Sequence, residues 1–357
     1  MRIRIGLAYN EKPAEDAEPP STGSDSESPS DRPSHSAADV YAEWDEPATI
    51  AAVEAALSTV GSVIRVEADA DFPAKLRAVK PDIVFNMAEG LHGPNREAHV
   101  PAICEFFDVR YTASDPLALC LALDKRRAKE VFLARGVRTP AYTMVQGEPE
   151  GEIETIRGRG PWIVKPLYEG SSKGIPESAF CETQSAVRRR AAEIARVYKQ
   201  PALVEQFLPG REFTVAILGN GRGARALPVV EIRFDALPAG ALPIYGYEAK
   251  WVWDRPEQPL EIYECPAALT PELEAAVVGE AIAAYHALGC RDWSRVDVRL
   301  DSEGAPHVLE VNPLPGIMPD PRQNSCFPKA ARAAGMSYDD LIAGVLHIAL
   351  ARYGMSA

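Results

Sequence analysis

The sequence contains no long apolar run. No hydrophobic segment approaches the roughly 20 residues that a helix needs to cross a bilayer. The start of the chain, Met1 to Gly6, alternates apolar and basic residues and lacks the apolar core of a signal peptide. Overall, 46% of the 357 residues are hydrophobic and 25% are charged, which is ordinary for a globular protein. We therefore expect a cytoplasmic protein without a membrane partner.

Paired cysteines and an excess of positive charge are also missing. The cysteines stand singly and form no C-x-x-C motif, a spacing that favours buried thiols over a disulfide framework or a zinc site. The formal net charge is −13, which argues against a nucleic acid partner. A local basic pocket can still bind a nucleotide within an acidic protein.

The N-terminal third of the chain has two parts of different composition. Lys12 to Asp39 is rich in Pro, Ser, Asp and Glu, and such a segment cannot bury enough apolar surface to offset the cost of ordering. We therefore predict that it is a disordered insertion. On both sides of it, short apolar strands alternate with helical segments as far as Ser114. This alternation predicts a small α/β domain with a parallel sheet.

Two strands near the C-terminus carry oxygen-bearing side chains. Polar and apolar residues alternate in Arg295–Arg299 and in Val308–Asn312, and a turn composition separates the two segments. A hairpin would place Asp297, Glu310 and Asn312 on one face, where they could bind Mg²⁺. The alternative is an ordinary solvated strand face with unrelated charges.

A second segment, Lys165 to Gly174, combines a strand with a loop of small residues. The strand delivers Lys165, and the loop can present backbone N–H groups and hydroxyls to anionic oxygens. Its spacing differs from the P-loop motif and from the dinucleotide motif G-x-G-x-x-G, which disfavours both of those classes. A third segment, Leu203 to Phe213, could frame an adenine, with Glu212 accepting from the ribose hydroxyls. An ordinary surface turn and an ordinary crossover are the alternatives for these two segments.

Taken in order, these segments resemble the ATP-grasp superfamily and, within it, the D-alanine–D-alanine ligase family. The resemblance runs from about Tyr111 to the last helix, and the blocks that carry it are KPLYEGSSKG, REFTVAILG, YGYEAKW, GCRDWSRVDVRLDSEG, LEVNPLPG and FPKAARAAGMSY. It implies an α/β protein of ATP-grasp architecture, with α+β character in the lid and C-terminal parts. The implied domains are a parallel α/β domain over residues 1–114, a central lid domain over 115–205 and a C-terminal domain with the metal site over 206–357.

The resemblance also implies roles for matched residues. ATP would be bound by Lys125, Lys165, Ser172, Glu205, Phe207, Leu208 and Glu212. Two Mg²⁺ ions, for which Mn²⁺ could substitute, would be bound by Asp297, Glu310 and Asn312. The catalytic residues would be Arg295 and Gly316 at the oxyanion, Lys250 at the γ-phosphate and Ser171 in the closing loop.

The implied reaction is an ATP-dependent ligation of two small molecules. ATP would convert a carboxylate to an acyl phosphate, cations would neutralise the transferred phosphoryl group, and an amine would then attack the acyl carbon. The loop must exclude water, which would otherwise hydrolyse the intermediate. Ligases of this resemblance are often dimers, so a homodimer is expected.

The substrate end departs from the family pattern. The usual glycine pair of the first-substrate motif is absent, and Glu43 is the best candidate for binding the ammonium group, with an exposed helix-start acid as the alternative. His92 falls near the family's His-Gly motif, with Glu89 and Arg96 as further candidates. Trp251 stands where a tyrosine is usual. Ser325 and Arg322 are the candidates for binding the second substrate's carboxylate.

The sequence therefore leaves three classes of function open. The leading hypothesis is a carboxylate–amine ligase, with D-alanine or another amino acid or natural-product acid as substrate. The second is a non-catalytic ATP-binding protein that retains the fold, and the third is another ATP-grasp chemistry such as biotin-dependent carboxylation. The full set of metal ligands, Lys165 and Arg295 favour the first class, and the chain offers no carrier domain for the third.

Overall fold

The computed structural model describes residues 2–13, 40–146, 156, 159–254 and 259–356. Of the predicted disordered insertion, only Lys12 and Pro13 fall inside these ranges, so that prediction lies outside the described residues. Within the described residues, no helix is both long and apolar enough to span a bilayer.

Strands and helices are numbered separately in chain order. The strands are β1 Arg4–Tyr9, β2 Ser62–Glu67, β3 Ile83–Asn86, β4 Arg110–Tyr111, β5 Tyr142–Val145, β6 Trp162–Pro166, β7 Phe180–Cys181, β8 Ala202–Gln206, β9 Glu212–Leu218, β10 Arg225–Ala226, β11 Val230–Ile232, β12 Tyr263–Glu264, β13 Trp293–Leu300 and β14 Pro306–Asn312. The helices are α1 Pro47–Ser58, α2 Phe72–Val79, α3 His99–Phe106, α4 Pro116–Leu123, α5 Lys125–Ala134, α6 Gln184–Tyr198, α7 Pro271–Leu288, α8 Cys326–Ala333 and α9 Tyr338–Arg352.

The N-terminal sheet has four strands in the order β2-β1-β3-β4, and all of its pairings are parallel. The central strand β1 is buried along nearly its whole length, as expected for a parallel strand covered on both faces. Helix α1 begins at Pro47, a residue that suits the first helical turn. The predicted parallel α/β arrangement is confirmed.

The middle sheet is antiparallel, in the order β5-β8-β6-β7. Helix α6 packs its apolar stripe, including Val187 and Ile194, against this sheet. It begins at Thr183, whose side-chain oxygen accepts from the backbone N–H of Ala186 and so satisfies one free donor of the first turn. This sheet delivers Lys165 and Glu205 to the site from neighbouring strands.

The C-terminal sheet contains six strands, and β13 lies between β9 and β14 in antiparallel pairing. The predicted hairpin of β13 and β14 is confirmed. Helix α7 covers one face and ends at Gly289, whose φ of 73° is the left-handed conformation that glycine adopts readily. Helix α9 begins with a capping box between Ser337 and Asp340.

One strand of the C-terminal sheet is shorter than the sequence indicates. The sequence predicts a strand over Leu227 to Arg233, but the structure has the short strands β10 and β11 with Pro228 between them. Proline lacks the N–H that a continuous ladder requires, which accounts for the break.

The N-terminal and C-terminal sheets share one hydrophobic core. Trp293 of β13 is almost fully buried and makes edge contacts with Phe85 of β3 and Phe327 of α8. The ring centroids are 5.8 and 5.7 Å apart, within the range of favourable aromatic pairs. The division of the chain into three domains stays a prediction.

Candidate active site

A cavity of about 130 Å³ lies where the β13–β14 hairpin faces the loop after β6. The predicted site residues that line it are Lys125, Lys165, Ser171, Ser172, Glu212, Lys250, Arg295, Asp297 and Glu310. These residues come from widely separated parts of the chain, so the fold brings the predicted nucleotide, metal and oxyanion residues to one place.

The hairpin presents Asp297 and Glu310 opposite each other in the antiparallel register, and Arg295 opposite Asn312 on the same face. The Asp297 carboxylate accepts from the Arg295 guanidinium at 3.1 and 3.0 Å. It also accepts from the Asn312 amide at 3.3 Å. The predicted shared face is confirmed, and Arg295 is held beside the acids.

Burial raises the pKa of Asp297; Arg295 opposes that rise and the like charge of Glu310 adds to it. Burial would also raise the pKa of Glu310, but Lys125 and Lys165 hold it at about 2. Two carboxylates and a carboxamide on one face are ligands that suit Mg²⁺. In the described part of the chain, no three His, Cys, Asp or Glu side chains are grouped so that they could hold a metal ion, so Asn312 would supply the third ligand. With it, the residues fit the ion.

Three buried lysines surround the acids. The two carboxylate oxygens of Glu205 lie 2.5 Å from the Nζ atoms of Lys129 and Lys165. Lys125 Nζ donates to the backbone carbonyl of Glu169 at 2.5 Å and lies 3.7 Å from Glu310. Because one carboxylate is shared between two lysines, this wall carries surplus positive charge, which suits phosphate oxygens.

Glu205 and Phe207 were predicted to frame the adenine, and the structure changes that picture. The side chain of Glu205 is 97% buried between the two lysines, and the N–H of Phe207 donates to the carbonyl of Pro161. Glu205 therefore orients lysines. The ring of Phe207 and the buried Leu208 remain the apolar candidates for the base.

The loop after β6 takes a conformation that the sequence pattern did not predict. Ser171 and Ser172 both have left-handed backbones, with φ of 51° and 60°. Such values are uncommon for residues other than glycine and need support from neighbours. Here the Ser172 hydroxyl donates to the carbonyl of Tyr245 at 2.9 Å, and the Trp251 indole N–H donates to the carbonyl of Ser171 at 3.0 Å.

Glu212, predicted for the ribose, lies in the cavity with a cation behind it. Its carboxylate accepts from Arg299 at 2.7 Å. Burial raises its pKa against the opposing charge of Arg299. The Arg299 guanidinium also lies over the rings of Phe207 and Phe234, at 4.7 and 4.9 Å. One oxygen of Glu212 thus stays available while its side chain is oriented.

Lys250 and Arg295 are the cations of the opposite end of the cavity. Burial and the neighbouring charge of Arg295 lower the pKa of Lys250 to about 8. Burial disfavours the charged form of Arg295, but Asp297 outweighs it, so its pKa stays above the ordinary value. Arg295 is therefore a permanent cation, whereas Lys250 can lose its charge near neutral pH.

Glu43, the candidate for the substrate ammonium, already has protein partners. It accepts from Arg96 at 3.0 and 2.9 Å, from Lys173 at 2.9 Å and from the N–H of Gly170 at 2.8 Å. Burial would raise the pKa of its carboxyl, but Lys173 and Arg96 hold it at about 2. A substrate ammonium group would therefore have to compete with these partners for the Glu43 carboxylate.

The other predicted substrate residues lie around or beyond the cavity. Ser325 is buried and its hydroxyl donates to the carbonyl of Gly316 at 3.1 Å. The side chain of Arg322 is 82% exposed and pairs with Asp320 at 2.6 Å, so it does not reach the cavity. His92 is exposed on the turn before Arg96. The role of Ser325 stays a prediction.

Further residues that the sequence motifs do not single out lie at the cavity. Tyr245, Tyr263 and Cys326 are among its lining residues. Burial raises the pKa of the Cys326 thiol, which keeps it in the neutral form. Lys173 was visible in the loop motif but had no assigned role. Its spacing of four residues from Glu169, with which it pairs at 2.5 Å, is the one available signal.

Known proteins are similar to this chain in sequence and in fold. A family described as "D-ala D-ala ligase C-terminus" matches residues 137–347. The D-alanine–D-alanine ligase of Bordetella pertussis is 40% identical over 273 residues, which cover 76% of this chain and 80% of that protein. The corresponding ligase of Saccharophagus degradans is 35% identical over 284 residues, covering 79% and 82%. The chain belongs to the D-alanine–D-alanine ligase family.

Membership of this family makes the chain an ATP-dependent ligase that forms C–N bonds. The crystal structure of D-alanine–D-alanine ligase from Bacillus anthracis complexed with ATP superposes with a TM-score of 0.70. That match covers 99% of both chains at 20% sequence identity, and it confirms the ATP-grasp fold. The predicted family, fold class and enzyme class are therefore confirmed.

Proposed function

We propose that this ligase uses ATP to activate a carboxylic acid as an acyl phosphate and then joins the acyl group to an amine. The observation that carries the proposal is the single cavity that places Lys125 and Lys165 beside the loop of Ser171, facing Asp297 and Glu310. Cations, loop donors and oxygen ligands on facing walls are what phosphoryl transfer to a carboxylate requires. ADP and phosphate are the other products.

The nucleotide end of the cavity has a residue for each part of ATP. Lys125 and Lys165 bind phosphate oxygens, and the left-handed loop offers them the hydroxyl of Ser171. The Ser172 hydroxyl already donates to the carbonyl of Tyr245 and so holds the loop in place. Glu205 keeps Lys165 directed into the cavity. Glu212 accepts from the ribose hydroxyls while Arg299 holds its other side. Phe207 and Leu208 contact the base.

The metal end is formed by Asp297, Glu310 and Asn312. Bound there, Mg²⁺ would neutralise charge on the phosphate oxygens. Arg295 remains protonated across the physiological range because Asp297 stabilises its charge. It can therefore stabilise the oxyanion that forms when the amine attacks. We propose the backbone N–H of Gly316 as the second hydrogen-bond donor to this oxyanion.

The proposed substrates are small molecules, an acid and an amine. D-Alanine is the substrate named for the relatives, and we propose it as the first acid and amine to test. The indole of Trp251 packs at the loop, where its N–H binds the carbonyl of Ser171. This bulk beside the cavity favours another amino acid or natural-product acid as the second candidate. A homodimer and a cytoplasmic location stay proposals.

The experiment is a panel of acid–amine pairs in the presence of ATP and Mg²⁺, with ADP, phosphate and amide measured together. We expect one pair to give ADP and amide in equal amounts. A protein that binds ATP but releases no ADP with any pair would instead be a non-catalytic ATP-binding protein of this fold.

A further inference from the structure

A buried group of four charged side chains lies behind the phosphate-binding loop. We call it the ionic clasp, and its members are Glu43, Arg96, Glu169 and Lys173. Their side chains are between 6% and 15% exposed. Lys173 lies 2.5 Å from Glu169 and 2.9 Å from Glu43, and Arg96 lies 2.9 Å from Glu43 and 3.7 Å from Glu169. Each cation thus contacts both acids.

The ionic clasp joins two separate parts of the fold. Glu43 and Arg96 belong to the N-terminal domain, whereas Glu169 and Lys173 belong to the loop after β6. Backbone contacts follow the same path, because the N–H of Gly170 donates to Glu43 at 2.8 Å and Arg96 donates to the carbonyl of Tyr168 at 2.8 Å. The loop that carries Ser171 is therefore held to Arg96 at Tyr168 and to Glu43 at Gly170.

We propose that Glu43, Arg96 and Lys173 are positioning residues that hold the phosphate-binding loop closed over the cavity, and that Glu43 does not bind a substrate ammonium group. The inference rests on the proposed function, because it assigns a role within the same site. It replaces the expectation that the first acid after the insertion recognises the amino group of the acid substrate.

Charge balance within the ionic clasp supports this role. Its two carboxylates are matched by two cations, so an incoming ammonium group would have to displace Lys173 or Arg96 from Glu43. The displaced cation would lose one of its two buried carboxylate partners, which is unfavourable in a site shielded from water. The Glu43 carboxylate thus already has several charged and backbone partners, and these contacts hold the loop in place.

The geometry of the loop also depends on the close approach of Glu43. A Cβ atom added to Gly170 would lie 2.4 Å from Glu43 Oε1, a distance that no side chain tolerates without movement. Gly170 therefore approaches the Glu43 carboxylate more closely than a residue with a side chain could in this arrangement, and the ionic clasp holds the loop at this position beside the cavity.

Closure matters for the proposed reaction because it excludes water from the acyl phosphate. If water enters, its oxygen attacks the acyl carbon and the bond from that carbon to the phosphate oxygen breaks. The products are the free acid, inorganic phosphate and a released proton. A weakened ionic clasp would therefore release ADP and phosphate without forming amide.

The test compares Glu43→Gln, Lys173→Met and the double variant, with Arg65→Met as a matched control. Arg65 also forms an ion pair, with Glu54, but at the partly exposed surface. We expect both single variants to raise the ratio of ADP to amide at least threefold and to leave the KM of the acid within twofold. The double variant should resemble the single variants, because both changes break one network. Lys173→Arg should restore coupling.

The opposite result has a distinct signature. If Glu43 binds the substrate, Glu43→Gln raises the KM of the acid tenfold or more, the ratio of ADP to amide stays at one, and Lys173→Met changes nothing. Limited proteolysis of the loop provides a readout that does not depend on turnover. Faster cleavage in Lys173→Met than in wild type supports the ionic clasp even if no acid–amine pair is turned over, and equal cleavage overturns it.

Discussion

Glu310 and Lys250 are both buried at the cavity, yet their surroundings treat their charges differently. Glu310 lies near Lys125 and Lys165, which outweigh the cost of burial and keep its pKa at about 2. Lys250 has Arg295 as its main neighbour, and burial with this like charge brings its pKa down to about 8. The Glu310 carboxylate is thus ionised at neutral pH, whereas the Lys250 ammonium group loses its proton just above neutral pH.

Glu310→Gln should lower ATP-dependent turnover by at least about 100-fold, because the loss of a ligand charge removes several kcal/mol of charge stabilisation. The variant should stay folded. In the wild type, the pKa of Glu310 lies below the ordinary value. The Glu310 carboxylate therefore stabilises the fold above about pH 4.5, and this contribution is lost as the pH falls toward 2. Thermal unfolding at pH 7 and at pH 3 checks this, with a destabilisation of about 1–3 kcal/mol expected at pH 7 and about half of it or less at pH 3. Full activity in the variant would overturn the metal assignment.

The lowered pKa of Lys250 predicts that ATP binding depends on pH. Its pKa of about 8 in the empty site means that the ammonium group is charged at pH 7 and largely neutral at pH 9. Binding a phosphate at pH 9 then requires uptake of a proton, so affinity should be about 3–10-fold weaker than at pH 7. Equilibrium binding of ATP across this range measures the effect. Lys250→Met should bind weakly at both pH values, and an unchanged slope in that variant would contradict the prediction.

At the scale of elements, the hairpin and the loop after β6 depend on different information. The β13–β14 hairpin follows from alternation within each strand and from a turn composition between them, so its shared polar face is a local property. The loop depends on distant partners: Glu43, Trp251 and Tyr245 contact it from three other parts of the chain. Its left-handed serines are stable only in that environment.

Gly170→Ala tests how closely the loop must approach the N-terminal domain. The added Cβ would lie 2.4 Å from Glu43 Oε1, so either the loop or the Glu43 carboxylate must shift, and both changes disturb the contact between them. A shift of about 1 Å in residues that orient reactants can cost about 100-fold in rate, and we expect amide formation to fall about 10–100-fold. The matched control is Gly223→Ala, where an added Cβ meets no atom within 4 Å. Equal activity in the two variants would show that the approach is unimportant.

At the scale of the whole molecule, the site exists because separate sheets are held together. The aromatic stack of Phe85, Trp293 and Phe327 joins the N-terminal sheet, the C-terminal sheet and α8. The same core includes residues from β1 and α9. The N-terminal domain can therefore bring Glu43 to the loop only if this core is intact.

Trp293→Ala should destabilise the protein by about 3–5 kcal/mol, because it leaves a cavity in a fully packed core. Trp293→Phe should cost less, since it keeps part of the edge contacts. Chemical unfolding of both variants gives the difference in free energy of unfolding. A loss below about 1 kcal/mol in Trp293→Ala would mean that the two sheets are held together mainly elsewhere.

Unlike Trp293, the acidic, serine-rich segment over residues 14–39 should contribute little to stability and activity. Replacing residues 14–39 by a short Gly-Ser linker should leave amide formation within about twofold, because loop length changes closure entropy only slowly. Lys12 and its contacts with Asp45 and Glu46 are kept in this variant. Steady-state kinetics and thermal unfolding check the result. Loss of activity with retained stability would show that the segment takes part in the site.

The sequence alone determined the parallel N-terminal sheet, the metal-facing hairpin and the order of the phosphate-binding motifs, because periodicity and local composition encode each of them. It also determined the ligase family, since many motifs occur in one order. Only the tertiary structure decided what Glu43 and Glu205 contact. A carboxylate in a motif looks the same whether a substrate, Lys173 or two lysines from other elements will neutralise it. Packing between distant segments determines those partners, and no local sequence pattern encodes that packing.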